Sequence, residues 1–265
     1  DVYYYEIAKK VGIDKIAEMG RKLGLGQKFE IPMSAVTEGN MPDKAWKMTR
    51  HKQEWRIGDT INASIGQGYV LTSPLQLAVM TARIASGRQV SPRLVRMVRD
   101  RELPVAEAPA LDIAPEHLAA VRQGMNEVVN GEQGTAKSSR IVDPTLVMAG
   151  KTGTSQVRNI SKAERESGVI SNDQLPWNRR DHALFVGYAP YDKPRYAVSV
   201  VVEHGGGGST AAAPIARDVI LRALSDGLPS LDAYPSSQRG RIETMLKELP
   251  LRDPVTGKPP ARTET

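Results

Sequence analysis

The sequence predicts an α+β fold in which helices cover an antiparallel sheet. Three observations carry that expectation: capped helical patterns fill the first half, strand-like runs joined by a short turn fill the second, and one further helical pattern follows the last run. With 265 residues, 40% hydrophobic and 25% charged, the chain is long enough for one large globular domain or two small ones.

Asp1 is placed to N-cap a first helix with Val2, Tyr5, Ala8 and Val11 on one face, and Gly12 breaks it. A second helix over 13–23 turns Ile13, Ile16, Met19 and Leu23 inward and ends at the GLG of residues 24–26. A polar, Trp-containing loop leads to NASIGQGYVLTSPLQLAVMTARIASG. Its second half is the best-marked helix: Ser73 as N-cap, Pro74 at N1, Gln76 at N3, an apolar stripe through Leu75, Val79 and Ala82, and Gly87 as terminator. A Pro-containing linker over 100–114 precedes a helix over 115–130, with Leu118, Val121, Met125 and Val128 or Val129 on one face.

GEQGTA then returns the chain to a strand-like segment, AGKTGTSQV (149–157). After a charged loop over 158–181, HALFVGYAP, the turn YDKP and RYAVSVVVEHG form a β-hairpin. The longest apolar stretch, AVSVVV (197–202), suits a buried strand. GGGGST reads as a turn into a final helix over 211–225. The domain is therefore expected over 1–226, and the Pro-rich, charged 227–265 reads as a mobile tail with one short helix near 242–249.

Several chemistries are excluded or given no support. There is no cysteine, hence no disulfide, thiolate nucleophile or Cys-based zinc site. His51, His117, His182 and His204 lack metal-ligand spacing, and no Gly-x-Ser-x-Gly elbow occurs. The net charge of +6 comes from scattered basic residues without any RNP, zinc-finger or basic-region pattern, so no nucleic-acid partner is expected. No run of about 18 apolar residues and no signal-peptide pattern is found.

AGKTGTSQV carries the chemistry. A phosphate-binding loop would need glycine at 145, where Thr145 stands after Pro144, so that reading fails. On a strand, Lys151, Gly153 and Ser155 face one way and Thr152, Thr154 and Gln156 the other. Gly153 leaves room for a ligand backbone, and a lysine near a hydroxyl nucleophile supplies positive potential or moves protons. By spacing alone, an ordinary edge strand explains these residues equally well.

K-T-G on a strand is one of three motifs of the penicillin-binding proteins and serine β-lactamases, after S-x-x-K and S-x-N in chain order. SIGQGYVLTSPLQLA (64–78), GMNEVVNGEQGTA (124–136), MAGKTGTSQV (148–157) and DHALFVGYAP (181–190) together resemble the transpeptidase domain of that superfamily. The resemblance covers about residues 1–226 and is to the C-terminal part of the penicillin-binding protein 2 family, the class B enzymes of cell elongation. Neither S-x-x-K nor S-x-N occurs in these 265 residues. DVYYYEIAKKVGID resembles the sequence following an S-x-D variant of the second motif, which makes Asp1 either that motif's last residue or a plain N-cap.

The resemblance implies a partial penicillin-binding fold and a peptidoglycan D,D-transpeptidase acting through a serine acyl-enzyme. It assigns catalytic positions to Lys151, Thr152 and Gly153, with Asp1 beside them, and an oxyanion-hole N–H to Thr154. Thr152, Thr154, Ser155 and Gln156 would bind the stem peptide, while SIGQG would shape a wall. It implies no metal and no organic cofactor. Its partners would be a D-Ala-D-Ala stem peptide, an acceptor amine, β-lactams, a membrane-embedded glycosyltransferase and the elongation complex, at a bacterial inner membrane with the catalytic domain in the periplasm. A D,D-carboxypeptidase or β-lactamase of the same fold, or a non-catalytic binding module, remain alternatives. The residues alone, without the serine motif, are expected to be inactive.

Overall fold

A computed structural model describes residues 2–158, 160 and 162–248. In chain order it contains α1 (Val2–Val11), α2 (Ile13–Lys22), α3 (Lys44–His51), α4 (Ile57–Ala63), α5 (Pro74–Ser86), the ribbon β1 (Met97–Val98) and β2 (Arg101–Glu102), and α6 (Pro115–Asn130). Then follow β3 (Ala149–Ser155), α7 (Lys162–Ser167), β4 (His182–Ala189), β5 (Tyr196–Val202), α8 (Ala213–Leu224) and α9 (Ser236–Glu248). The main sheet is antiparallel throughout, in the order β3-β4-β5, with helices on both faces. This is the α+β, helix-covered antiparallel sheet that the sequence predicts.

Strand alternation divides the interior in two. Ala183 and Phe185 of β4 point to the face on which Ala213, Ala216 and Ile220 of α8 pack, and Tyr234 and Ile242 close that cluster from outside. Tyr188, of opposite parity, joins Ala149, Ile84 and Ala85 of α5 and Met125 of α6 on the other face.

The α5 N-terminus forms as its sequence predicts: the Ser73 hydroxyl accepts from the Gln76 N–H, and Gln76 Oε1 accepts from the Ser73 N–H. Gly87 ends the helix at φ 70°. Its buried side includes polar groups that an apolar stripe does not reveal. Gln76 donates to the carbonyls of Gln27 and Glu38, and Arg83 donates to those of Lys22 and Val90. These bonds supply partners to backbone carbonyls of the loops and of the α2 C-terminus.

Several expectations are corrected. On α2 the buried positions are Ile13, Ala17 and Gly20, whereas Met19 is exposed. Met41 packs so tightly over Gly20 that a Cβ there would lie 2.8 Å from its sulfur. Of the predicted α1 face only Ala8 is buried, and on α6 Val121 faces solvent. The polar, Trp-containing loop holds α3 and α4; the Asp43 carboxylate caps α3 by accepting from the Trp46 N–H. The β1–β2 ribbon straddles the start of the linker, with β1 before it and β2 inside it. The segment from 227 is not a free tail over its described part: Ala233, Tyr234 and Ile242 are buried, since three apolar residues across a turn and a helix suffice to dock it. The Asp1 cap and the expectation for 249–265 lie outside the described residues.

Lys47 joins α3 to α4. Its side chain is 3% exposed and pairs with Asp59, while its ammonium lies over the Trp55 and Tyr69 rings. Burial alone would raise the Asp59 carboxyl, but hydrogen bonds from Lys47 and the Arg56 N–H, with the Lys47 charge, hold its pKa below the ordinary 3.8. The contribution of the pair is therefore complete above 3.8 and lost as pH falls through the lower folded-state value. Asp59→Asn strands a buried ammonium and is expected to cost about 3 kcal/mol at neutral pH. In urea titrations the gap to the parent should shrink as pH falls below the ordinary 3.8 and through the lower folded-state value; a gap constant with pH contradicts this account. Tyr234→Ala is expected to lose about 3 kcal/mol by the same measurement, and a loss under about 1 kcal/mol would place the segment outside the core.

Candidate active site at the sheet edge

Among the described residues β3 has one neighbour, β4, so its other side is an open edge. The register runs unbroken from Ala149↔Tyr188 through Lys151↔Val186 and Gly153↔Leu184 to Ser155↔His182. No bulge interrupts it, and the alternation expected from sequence holds over the strand: Lys151, Gly153 and Ser155 share the α5 and α6 face, while Thr152 and Thr154 share the α8 face. Gln156 lies just past the end of the strand.

Along β3, Ala149 and Gly150 are buried, Thr152 and Gly153 half-buried, and Lys151, Thr154 and Ser155 exposed. Asn130, the last residue of α6, secures the buried end by donating to the Met148 carbonyl at 2.9 Å. Lys151 Nζ donates to the Thr152 carbonyl at 2.8 Å. Although the residue keeps solvent access, loss of hydration around its ammonium lowers the pKa from the ordinary 10.5. No acidic group contacts it among the described residues.

Two loops approach β3. GEQGTA folds back on the end of α6, where the Ala136 N–H donates to the Val128 carbonyl at 2.9 Å. A Cβ at Gly134 would meet that carbonyl at 2.5 Å, so glycine is required there. This turn brings Thr135 Oγ1 to 3.1 Å from Thr152 Oγ1. SIGQG follows α4, and with the end of β3 it lines a cavity of about 420 Å³ that includes Gly66, Gln67, Leu71, Ser155 and Gln156. Arg158, also on its lining, forms a bidentate pair with Glu164 at 2.7 and 2.6 Å.

The glycine-rich GGGGST is more constrained than a flexible turn. A Cβ on Gly208 would lie 2.3 Å from the Leu184 carbonyl and 2.5 Å from that of Gly153, so the chain crosses β3 and β4 where only glycine fits. His182 and His204 are bound to each other rather than poised for ligation: His182 Nδ1 accepts from the His204 N–H at 2.9 Å. No cluster of three or more His, Cys, Asp or Glu suited to a metal occurs among the described residues. None of their helices is long and apolar enough to cross a membrane.

The structure thus gathers Lys151, Thr152, Gly153, Thr154 and Ser155 on one edge strand, with Gln156 beside it; Asp1 lies outside the described residues. Sequence reasoning missed Thr135 as a contact of Thr152 and Gly208 as a packing requirement. The first was legible only in the GTA triplet, and the second only as one glycine among four.

Comparison with known proteins gives one family. The penicillin binding protein transpeptidase domain matches residues 1–221. The peptidoglycan D,D-transpeptidase MrdA of Haemophilus influenzae is 36% identical over 240 residues, covering 88% of this chain and 36% of the relative. That of Acinetobacter baumannii is 38% identical over 219 residues, covering 80% and 31%. The chain therefore spans about a third of the length of these relatives. Among solved structures, Pseudomonas aeruginosa PBP2 in complex with WCK 5153 superposes with TM-score 0.69 at 32% identity, over 88% of this chain and 49% of that one. The complex between PBP2 and MreC from Helicobacter pylori gives TM-score 0.67 at 32% identity, over 82% and 37%.

Proposed function

The chain belongs to the penicillin-binding protein transpeptidase family, and on that premise we propose that it forms the substrate-facing side of a peptidoglycan D,D-transpeptidase of cell elongation. The observation that carries the reading is the open edge of β3, with Lys151, Thr152 and Gly153 at the point where burial gives way to solvent. An extended peptide adds to such an edge through main-chain hydrogen bonds, and Gly153 lets it approach closely.

The reaction has two steps. A serine hydroxyl attacks the carbonyl carbon of the penultimate D-Ala, the C–N bond to the terminal D-Ala breaks, and the serine proton leaves with the departing amine. An amine of a second stem peptide then attacks the ester, forms the new amide and returns the proton to the serine. Lys151 supplies positive potential within the nucleophile site and towards the peptide carboxylate. Thr152 and Thr154 offer hydroxyls to that carboxylate, and Ser155 and Gln156 extend the strand along which the donor lies. The N–H of Thr154 is one half of the oxyanion hole, the N–H of the serine the other. In an antiparallel strand, residues two apart turn their backbone groups to the same side. Thr154 N–H therefore shares the edge of the Thr152 carbonyl that Lys151 engages.

The serine and its lysine are assigned to a segment outside these residues, because no Ser here has Lys three positions later. Asp1 would complete the S-x-D motif. A β-lactam would acylate the same serine. Anchoring at the bacterial inner membrane with this domain in the periplasm, and assembly with a glycosyltransferase and an MreC-type elongation partner, complete the proposal. It involves neither metal nor organic cofactor.

Residues 1–265 alone are expected to form no covalent adduct with a fluorescent penicillin, whereas the full-length protein is labelled. Lys151→Ala in the full-length protein should slow acylation about 100-fold or more, the scale of losing one preorganised electrostatic group. Gel fluorescence and stopped-flow acylation read both; labelling of the isolated residues, or an unlabelled full-length protein, overturns the assignment.

A further inference from the structure

On the α8 side of the sheet, a cavity of about 390 Å³ opens between the GTA turn, the start of the α8 segment and α9. Six hydroxyl-bearing residues line it, Thr135 and Ser139 among them, together with Gln238 and Arg241. Carboxylate side chains are absent from this lining.

Thr210 Oγ1 donates to the Gly207 carbonyl, but two donors of the lining, on Ser139 and Arg241, are unspent among the described residues. Ser139 is 1% exposed, yet its Oγ has no hydrogen-bond partner among the described residues. A buried hydroxyl left in that state is costly unless something outside the chain accepts from it. Arg241 makes no hydrogen bond or ion pair among the described residues, and α9 sets it one helical turn from Ser237 on the cavity wall. Gln238 is held rigid: its Oε1 accepts from Arg217 Nη1 at 2.7 Å, and its Nε2 donates to the Ser138 carbonyl at 2.6 Å. Behind it Arg217, 1% exposed, stacks on Tyr234 and leaves Nη2 unpaired. The nearest acid on that arginine, Asp218, is already engaged with its Nε. The hydroxyls both donate and accept, so it is the Arg241 charge without a facing carboxylate that favours an oxygen-rich anion over a neutral ligand.

Thr135 connects this cavity to the strand, since its hydroxyl also meets Thr152. One wall comes from α9, beyond residue 221, where the match to the family ends. We propose that the cavity is a carboxylate-binding subsite for a peptidoglycan stem peptide, distinct from the β3 edge, with Arg241 and Ser139 as its recognition groups. The inference rests on the transpeptidase reading, and it names a second place where the same substrate class is held: a carboxylate that the stem retains after its terminal D-Ala has left.

The test uses the full-length protein and a fluorescein-labelled stem tripeptide with free carboxylates, which lacks D-Ala-D-Ala and so cannot serve as acyl donor. Fluorescence anisotropy should show binding that weakens about tenfold in Arg241→Gln and in Ser139→Ala, the scale of losing one hydrogen bond to a charged group. The same tripeptide with amidated carboxylates should bind as weakly to the parent as the free peptide does to the variants. Penicillin acylation rates should be unchanged in both variants, and Ser139→Ala should not lower Tm. Equal binding of free and amidated peptides, equal affinity of parent and both variants, or tighter competition by inorganic phosphate than by the unlabelled tripeptide each overturns the proposal. Failure of the parent to react with penicillin would instead overturn the transpeptidase reading, because tripeptide binding is read without any acylation.

Discussion

The Phe185 ring fixes where β3 can lie. A Cβ on Gly150 would fall 2.3 Å from its Cζ, and one on Gly187 would fall 2.7 Å from its Cε1. Gly150 and Gly187 are opposite each other in the ladder, so one aromatic ring of β4 occupies the space that two side chains would have filled. With α8 packed against the fully buried Phe185, the ring cannot easily turn away. The register is thereby held, and every residue from Lys151 onward inherits its facing from that register. A slip by one residue would exchange the Lys151 and Thr152 faces, moving the charge into the α8 layer and the hydroxyl out of reach of Thr135.

The rest of the framework serves the same strand from a distance. Asn130 holds the first residues of β3 through the Met148 carbonyl, and Gly208 admits the backbone that crosses behind Gly153. On the opposite face α5 carries two roles at once. Ile84 and Ala85 support Tyr188, while Gln76 and Arg83 reach back to carbonyls of a loop and of the α2 end more than 30 residues away in sequence. That division explains why the helix is both the clearest signal in the sequence and the most polar in its interior. Its caps are local chemistry, but its buried amide and guanidinium acquire partners only when distant loops arrive.

Legibility followed the same boundary between local and distant causes. The Ser73 cap, the 149–155 strand and the β4–β5 hairpin are written in consecutive residues, and all could be read from them. Met19 misled because a helical period marks a face without saying that Met41 will take the space opposite Gly20. The α3 and α4 helices were hidden because Lys47 and Asp59, both charged, are partners across a turn rather than solvent-facing residues. Proline and charge likewise masked the docking of Tyr234 and Ile242, two apolar residues too sparse to form a pattern. At the candidate site the strand was legible down to the facing of each side chain. Thr135 was not, because its meeting with Thr152 depends on how the turn after α6 folds back.

An unpaired strand edge is also a hazard. The row of free N–H and C=O groups on β3 that suits an incoming peptide suits equally the β3 of another copy, and nothing in main-chain hydrogen bonding tells the two apart. Lys151 bears on this directly. A second copy pairing edge to edge would have to bring another Lys151 ammonium, or its tethered carbonyl, into the same narrow strip, and like charges resist that approach. Gly153 adds a weak point that a growing sheet would find hard to stack upon. The residues proposed to receive the substrate at this edge would thus also guard against self-association, and replacing Lys151 by an uncharged β-branched residue would remove that guard.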